Sequence, residues 1–171
     1  MFKKYKFDID LATDAFDNLK YRDRTTLILC RDRDGKFILG TKAGYYPDGI
    51  VRMLGGGVNK EEEVVDGAIR EIKEEIGIDA TKEELIELAQ IDVTGKFEDK
   101  IYKTSIFVYF LNSDKDDYLA GDDVTDVVRY SETEFRDLIK RFSEIRPGPW
   151  QDFGKVYGFV HQVTLDEFLK I

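Results

Sequence analysis

The chain is poor in the residues that most often carry redox or zinc chemistry: of 171 residues one is cysteine, Cys30, and one is histidine, His161. A lone cysteine cannot close an internal disulfide. One cysteine and one histidine supply neither a zinc cluster nor a Ser-His-Asp system. Cys30 sits in an apolar run and reads as a buried strand residue, so a reducing cytoplasm is the expected compartment. Long apolar runs are missing too, which argues against a membrane span. The basic N-terminus, MFKKYKFDID, lacks the apolar stretch and cleavage site of a signal peptide. Positive charge is in deficit: 26 Lys and Arg against 35 Asp and Glu leave a net charge of −9. Bulk nucleic acid is therefore not an expected partner, because phosphate neutralisation supplies most of that affinity. A small phosphorylated substrate stays compatible, since bound metal ions reverse the local field of an acidic site.

What is present is the composition of one globular domain, 42% hydrophobic and 36% charged over residues 1–171, and one unusual stretch. Residues 55–78 read GGGVNKEEEVVDGAIREIKEEIGI. Val65, Ala68, Ile69, Ile72 and Ile76 recur at helical spacing and share a face. Glu71, Glu74 and Glu75 share a second, polar face, where three carboxylates on one turn repel one another. Two readings account for them. One is a solvated surface helix with Arg70 and Lys73 as ion-pair partners. The other is a site where a hard divalent cation, Mg²⁺ or Mn²⁺, neutralises the charge through oxygen ligands. The three glycines, Gly55 to Gly57, would let the backbone turn tightly and approach such an ion.

Around this stretch the chain alternates strand-like and helical segments, an α+β pattern. Residues 2–11 alternate as a half-exposed strand, and residues 12–24 read as a turn or short helix. TTLILCR (25–31), the hairpin turn Asp32–Gly35, and KFILGT (36–41) follow, then a loop over 43–49 and a short strand over 50–54. The charged helix is expected from about Glu61 to Ile76. Gly67 inside it marks a close backbone approach, and Gly77 is its left-handed cap. Thr81 and Glu84 form a capping box. Residues 86–93 read as a strand, 94–100 as a turn, and 101–111 as a central strand. An acidic loop over 112–123, a strand over 124–130 and a helix from Ser131 to about Phe142 come next. Pro147-Gly148-Pro149 breaks the chain. Periodicity leaves 155–163 open between strand and helix, before a short terminal helix capped by Thr164 and Glu167.

The spacing in the charged stretch is specific. Gly56, Glu62, Arg70-Glu71-Ile72, Glu74-Glu75 and Gly77-Ile78 match every defined position of G-x5-E-x7-R-E-U-x-E-E-x-G-U, U being apolar. Residues 56–78 thus resemble the Nudix box. The resemblance implies an α/β/α sandwich around a mixed sheet. It also implies divalent-metal-dependent hydrolysis of a diphosphate bond in a nucleoside diphosphate linked to another group, with water attacking phosphorus. By the same resemblance Glu74, Glu75 and Glu71 are metal ligands, with Glu71 also the candidate base. Arg70 orients a box glutamate by bidentate hydrogen bonding. Glu62 fixes the loop or reaches the metal through water. A carbonyl of Gly55 or Gly56 joins the ligands. A further carboxylate comes from the acidic loop, where Asp123 best fits among Asp116, Asp117, Asp122 and Asp123. Relatives commonly carry proline before the paired glycines, where this chain has Leu54.

Outside the box, Lys42 and Arg52 are candidates for phosphate contact, and Tyr45, Tyr46, Tyr102 and Trp150 for base stacking, against the alternatives of surface charge and core packing. Many relatives pair as homodimers, which makes a homodimer an expectation here. Two other classes stand beside hydrolysis. The first is a Nudix fold used as a nucleotide-sensing or protein-binding module, which has no need of intact Arg70, Glu71, Glu74 and Glu75. The second is a Nudix-like isomerase, for which Cys30 in a buried strand is a poor nucleophile. None of the downstream patterns of particular subfamilies is present, so sugar nucleotides, damaged nucleotides, ADP-ribose and dinucleoside polyphosphates all remain open.

Overall fold

A computed structural model describes residues 1–171 except 15, 16, 45, 46, 48, 116, 122, 146, 147 and 149, and, in the first helix, the side chains of Asp17 and Asn18. The stacking candidates Tyr45 and Tyr46, the loop carboxylates Asp116 and Asp122, and the prolines Pro147 and Pro149 lie outside the described residues. In chain order the elements are β1 (Lys3–Asp10), α1 (Asp17–Tyr21), β2 (Arg24–Arg31), β3 (Phe37–Thr41), β4 (Arg52–Met53), α2 (Val64–Ile76), a 3₁₀ turn (Lys82–Glu84), β5 (Ile86–Phe97), β6 (Lys100–Asn112), β7 (Asp126–Tyr130), α3 (Glu132–Glu144) and α4 (Gln151–Phe168).

The strands form one mixed sheet in the order β1-β5-β6-β2-β3-β4, with β7 also paired to β3. β1 runs parallel to β5 and β2 parallel to β6; the other pairs are antiparallel. Because side chains alternate along a strand, β2 feeds both faces. Leu27 and Leu29 join the core with Phe135, Leu138, Val156 and Val160 of α3 and α4. Ile28 and Cys30 join the core with Ala68, Ile72 and Ile76 of α2. This is the expected α/β/α sandwich, and α2 lies alone against its face of the sheet among the described helices. Burial first, and Asp32 second, push the Cys30 thiol up to about 12, so it is inert.

Local chemistry explains most boundaries. Asp32 closes the β2–β3 turn, its carboxylate accepting from the N–H groups of Asp34 and Lys36 at 3.0 and 2.8 Å, while Gly35 takes φ 79°. Ser131 and Glu134 cap α3 reciprocally, and Thr81 and Glu84 do the same for the 3₁₀ turn. Gly77 is the left-handed cap of α2, at φ 71°.

Four expectations are corrected. The turn expected over 94–100 is strand as far as Phe97, and the hairpin turns at Glu98-Asp99. Gly95 is there because a Cβ would come within 2.7 Å of Leu19 and 3.1 Å of Leu11, which press onto the strand. α2 begins at Val64, not Glu61, because Glu62 is held in a turn: its N–H donates to the Asn59 carbonyl at 3.1 Å and its carboxylate accepts from Asn59 N–H at 2.9 Å. Gly67 makes room for side chains rather than another backbone, its nearest neighbours being Val58 and Glu62. The C-terminus is one continuous helix. Thr164 lies inside it and donates its hydroxyl to the Val160 carbonyl at 2.8 Å instead of capping. Phe153, Val156, Tyr157, Val160 and His161 of α4 are buried at helical spacing, but Val163 and Leu165 are buried as well, which widens the buried face and blurs its period.

Candidate active site

The glycine segment runs along β2 and passes under α2. Ile28 N–H donates to the Leu54 carbonyl at 2.8 Å, and Thr26 N–H to the Gly56 carbonyl at 2.9 Å. Gly55 sits at φ 126°, and its N–H donates to Glu75 Oε2 at 2.7 Å. A side chain there would collide with the Thr26 carbonyl, and one at Gly56 would meet the Glu71 carboxylate at 2.5–2.7 Å. The glycines are therefore what lets β2, the loop and two glutamates of α2 come this close.

Glu75 is 1% exposed. Burial raises its pKa, against the Lys42 ammonium, the Gly55 N–H and the Arg52 charge, which lower it. Its second oxygen pairs with Lys42 Nζ at 2.8 Å, and the same ammonium holds Asp123 Oδ1 at 2.5 Å. Asp123 reaches this point because the loop before it docks on α2. Gly121 N–H donates to the Glu75 carbonyl at 2.8 Å, at a position where a Cβ would strike the Glu74 carbonyl.

Arg70 gathers the remaining carboxylates. Its Nε and one terminal nitrogen donate to both oxygens of Glu62 at 2.9 and 3.1 Å, the bidentate geometry to a box glutamate. The other terminal nitrogen donates to Glu71 at 2.8 Å and Glu74 at 2.9 Å, and a further bond of 2.9 Å goes to the Gly57 carbonyl. The Glu62 bond first, then Glu71 and Glu74, hold Arg70 protonated well above its usual range in spite of partial burial. The Arg70 bond likewise lowers Glu62.

These groups line a cleft of about 340 Å³ with Arg22, Lys42, Gly56, Gly57, Val58, Asn59, Arg70, Glu71 and Asp123 in its wall. Lys42 thus lies in the cleft. Arg52 is buried behind it, donating to the Gly55 carbonyl at 3.1 Å with its guanidinium 4.7 Å from the centre of the Tyr157 ring. Glu74 is half exposed and reaches the cleft wall through its bond with Arg70. Arg22 and Asn59 were not singled out by the sequence. Arg22 lies in a polar stretch with no period to read, and only its position just before β2 hints at the site. Tyr102 and Trp150 are engaged elsewhere: the Tyr102 hydroxyl donates to Asp14 at 2.6 Å, and Trp150 packs edge-on against Phe153. His161 is fully buried among aromatic rings.

The donor set suits a hard cation: the carboxylates of Glu75, Glu71, Glu74 and Asp123 and the carbonyl of Gly55 are all oxygen. As they stand, no three acidic, histidine or cysteine groups among the described residues are arranged to hold an ion. The Lys42 ammonium stands between two of the carboxylates and the Arg70 guanidinium between three. Lys42 in particular is a compact point charge held between carboxylate oxygens.

A family model of the NUDIX domain matches residues 20–152. No curated protein matches the chain. Among solved structures, the chain is similar to a MutT/nudix family protein from Enterococcus faecalis, at 22% identity and TM-score 0.50, covering 63% of this chain and 43% of that one. It is also similar to the dihydroneopterin triphosphate pyrophosphohydrolase of E. coli, at 13% identity and TM-score 0.54, covering 70% and 85%. A third is the bifunctional NMN adenylyltransferase/ADP ribose pyrophosphatase of Francisella tularensis, complexed with AMP and a Mn ion, at 18% identity and TM-score 0.51, covering 68% and 36%. The chain thus spans less than half of the first and third of these proteins. At such identities the likenesses speak for the fold. The family match extends from β2 through the box to β7 and α3, and the chain belongs to the Nudix family of hydrolases.

Proposed function

We propose that the chain, as one catalytic domain over residues 1–171, hydrolyses a diphosphate bond in a nucleoside diphosphate linked to a second group, with Mg²⁺ or Mn²⁺ as cofactor. The observation that carries this reading is the paired arrangement around α2: a buried Glu75 held by Gly55 N–H and Lys42, beside an Arg70 that collects Glu62, Glu71 and Glu74. A solvated surface helix has no reason to bury a carboxylate against a glycine loop. The pyrophosphohydrolase and pyrophosphatase activities named for the E. coli and Francisella tularensis proteins, and the Mn ion of the latter, support the reaction class and the type of ion.

In this reading Glu75, Glu71, Glu74, Asp123 and the Gly55 carbonyl would hold the metal, and a bound divalent ion would supply charge neutralisation at the phosphoryl group and a more acidic attacking water. Glu71, at the cleft wall beside Gly56, takes the proton from that water. The water oxygen bonds to phosphorus, the bridging P–O bond breaks, and a monophosphate leaves. Arg70 keeps Glu71 and Glu74 oriented while Glu62 fixes Arg70. Lys42 and Arg22, both in the cleft wall, would meet phosphate oxygens of the bound substrate. Arg52 contributes from behind the loop.

The test is a panel of nucleoside diphosphate derivatives incubated with Mg²⁺ or Mn²⁺, with release of monophosphate as the readout. Wild-type protein should turn over at least one member, and Glu75→Gln should lower that rate by about a hundredfold or more while remaining folded. Full activity in Glu75→Gln would remove the metal assignment. Tight nucleotide binding with no turnover would instead identify a sensing module.

A further inference from the structure

The segments flanking the matched domain meet each other on the face of the sheet opposite α2. Phe7 of β1 stacks on Phe159 of α4 with ring centres 4.5 Å apart, and the Tyr5 hydroxyl donates to Glu167 at 2.5 Å. At the other end of α4, the Asp152 carboxylate accepts from the N–H groups of Ala12, at 3.1 and 3.0 Å, and Thr13, at 3.3 Å. Apart from its first two residues, α4 lies beyond residues 20–152, and β1 precedes them. The helix thus lies almost wholly outside the matched residues, and both ends of it are anchored.

Its middle reaches the catalytic loop. His161 Nε2 accepts from Met53 N–H at 3.2 Å, which makes Nδ1 the protonated nitrogen, donating to the Tyr157 carbonyl at 2.7 Å. One turn earlier the Tyr157 ring lies under the Arg52 guanidinium. Arg52 in turn donates to the Gly55 carbonyl, whose residue gives its N–H to Glu75. Gly55 needs this support more than most residues. With φ 126° and no side chain, it has little of its own to fix its peptide planes.

We propose that α4 is a positioning element for the metal site: Tyr157 and His161 fix Arg52 and Met53, and Arg52 holds the Gly55 carbonyl in the orientation that a bound divalent ion requires. This rests on the reading of Gly55 as a metal ligand. Groups behind a ligand commonly tune metal affinity by about 10- to 100-fold. Orientation and charge make opposite forecasts for Arg52. As a bare positive charge near a cation it weakens metal binding, so its removal would tighten it. As the group that aims the carbonyl, its removal weakens binding.

The experiment is a titration of apoprotein with Mn²⁺, following the electron paramagnetic resonance signal of the free ion. It compares wild type with Arg52→Met, Tyr157→Leu, Tyr157→Phe and Glu75→Gln. Arg52→Met and Tyr157→Leu should each raise the Mn²⁺ Kd by about tenfold, with kcat recovering toward wild type at saturating metal. Tyr157→Phe, which keeps the ring, should bind as wild type does. Arg52→Met binding Mn²⁺ as tightly as wild type, or more tightly, overturns the proposal, as does a Tyr157→Phe protein as weak as Tyr157→Leu. Arg52→Met alone decides the matter should Tyr157→Leu fail to fold. Unchanged Mn²⁺ affinity in Glu75→Gln would show that the metal site itself is misassigned, and would overturn the role of α4 with it. Loss of binding in Glu75→Gln with no effect in Arg52→Met would overturn only the latter.

Discussion

Lys42 lies 2.8 Å from Glu75 and 2.5 Å from Asp123, and is itself buried. A buried carboxylate such as Glu75 is costly without a partner, and removing one member of a buried pair costs about 3–5 kcal/mol. Lys42→Met should therefore destabilise the metal-free protein by about 3 kcal/mol. With the metal held at Glu75 as proposed, Mg²⁺ or Mn²⁺ should repair most of that loss, because the ion would take over the neutralisation of Glu75. Thermal denaturation with and without metal checks this: the metal-induced rise in Tm should be larger in Lys42→Met than in wild type. Equal rises would show that ammonium and metal do not share a position. None of this pairing was visible in the chain itself. Lys42 reads as one more cation near a glycine-rich loop, and its partners sit 33 and 81 positions away along the sequence.

At the scale of the element, the glycine loop and α2 act as one unit, and adjacent glycines in it should fail differently. A Cβ on Gly56 would meet the Glu71 carboxylate first, the far end of a side chain that can swing away. Gly56→Ala should keep the fold, with a Tm within a few degrees of wild type, and lose most of its activity as Glu71 leaves its place. Gly55→Ala confronts a positive φ and the Thr26 carbonyl on β2, which cannot yield without moving the strand, so it should lower Tm as well. Paired melting curves and rates separate the two. A Gly56→Ala enzyme with full activity would argue against Glu71 in the reaction. The box itself was legible because its rules are local: the shared face of Glu71, Glu74 and Glu75 follows from helical geometry, as does the cap at Gly77. Segments whose partners are remote were not. Gly95 looked like a turn until Leu11 and Leu19 supplied the reason for it, and α4 could not be told from a strand because it is buried on several sides.

For the whole molecule, burial of the single histidine ties stability to pH. Burial first, and the Arg52 charge in addition, lower His161 from its ordinary 6.5 to about 3, although its bond to the Tyr157 carbonyl works the other way. Below pH 6.5 the unfolded chain binds a proton that the folded chain refuses until about pH 3, so stability is present above this window and falls as pH drops through it. The expected loss is about 1.4 kcal/mol per pH unit. Glu167 adds a second loss lower down. Burial raises it, but Lys170, Tyr5 and Lys3 together outweigh burial and bring it from 4.5 to about 2, so its contribution disappears between those values as pH falls. Urea unfolding at pH 6.5, 5.5 and 4.5 should show the first slope in wild type and a flatter one in His161→Gln. A wild-type protein equally stable at pH 6.5 and 5 would contradict a neutral buried imidazole.

The parallel pairings of β1 with β5 and of β2 with β6 also set an order of assembly. The β5–β6 hairpin is the long local unit of the sheet, closing over the two residues Glu98 and Asp99. It can form as soon as its own residues exist. β1 and β2 precede it in the chain yet dock on its two outer edges, so during synthesis both emerge before there is an edge to receive them. β1 waits longest in effect, because the far side of its contact lies in α4, with Glu167 lying 162 positions beyond Tyr5. β1 and α4 should therefore enter the fold together, and the glycine loop would be braced only once α4 has been made.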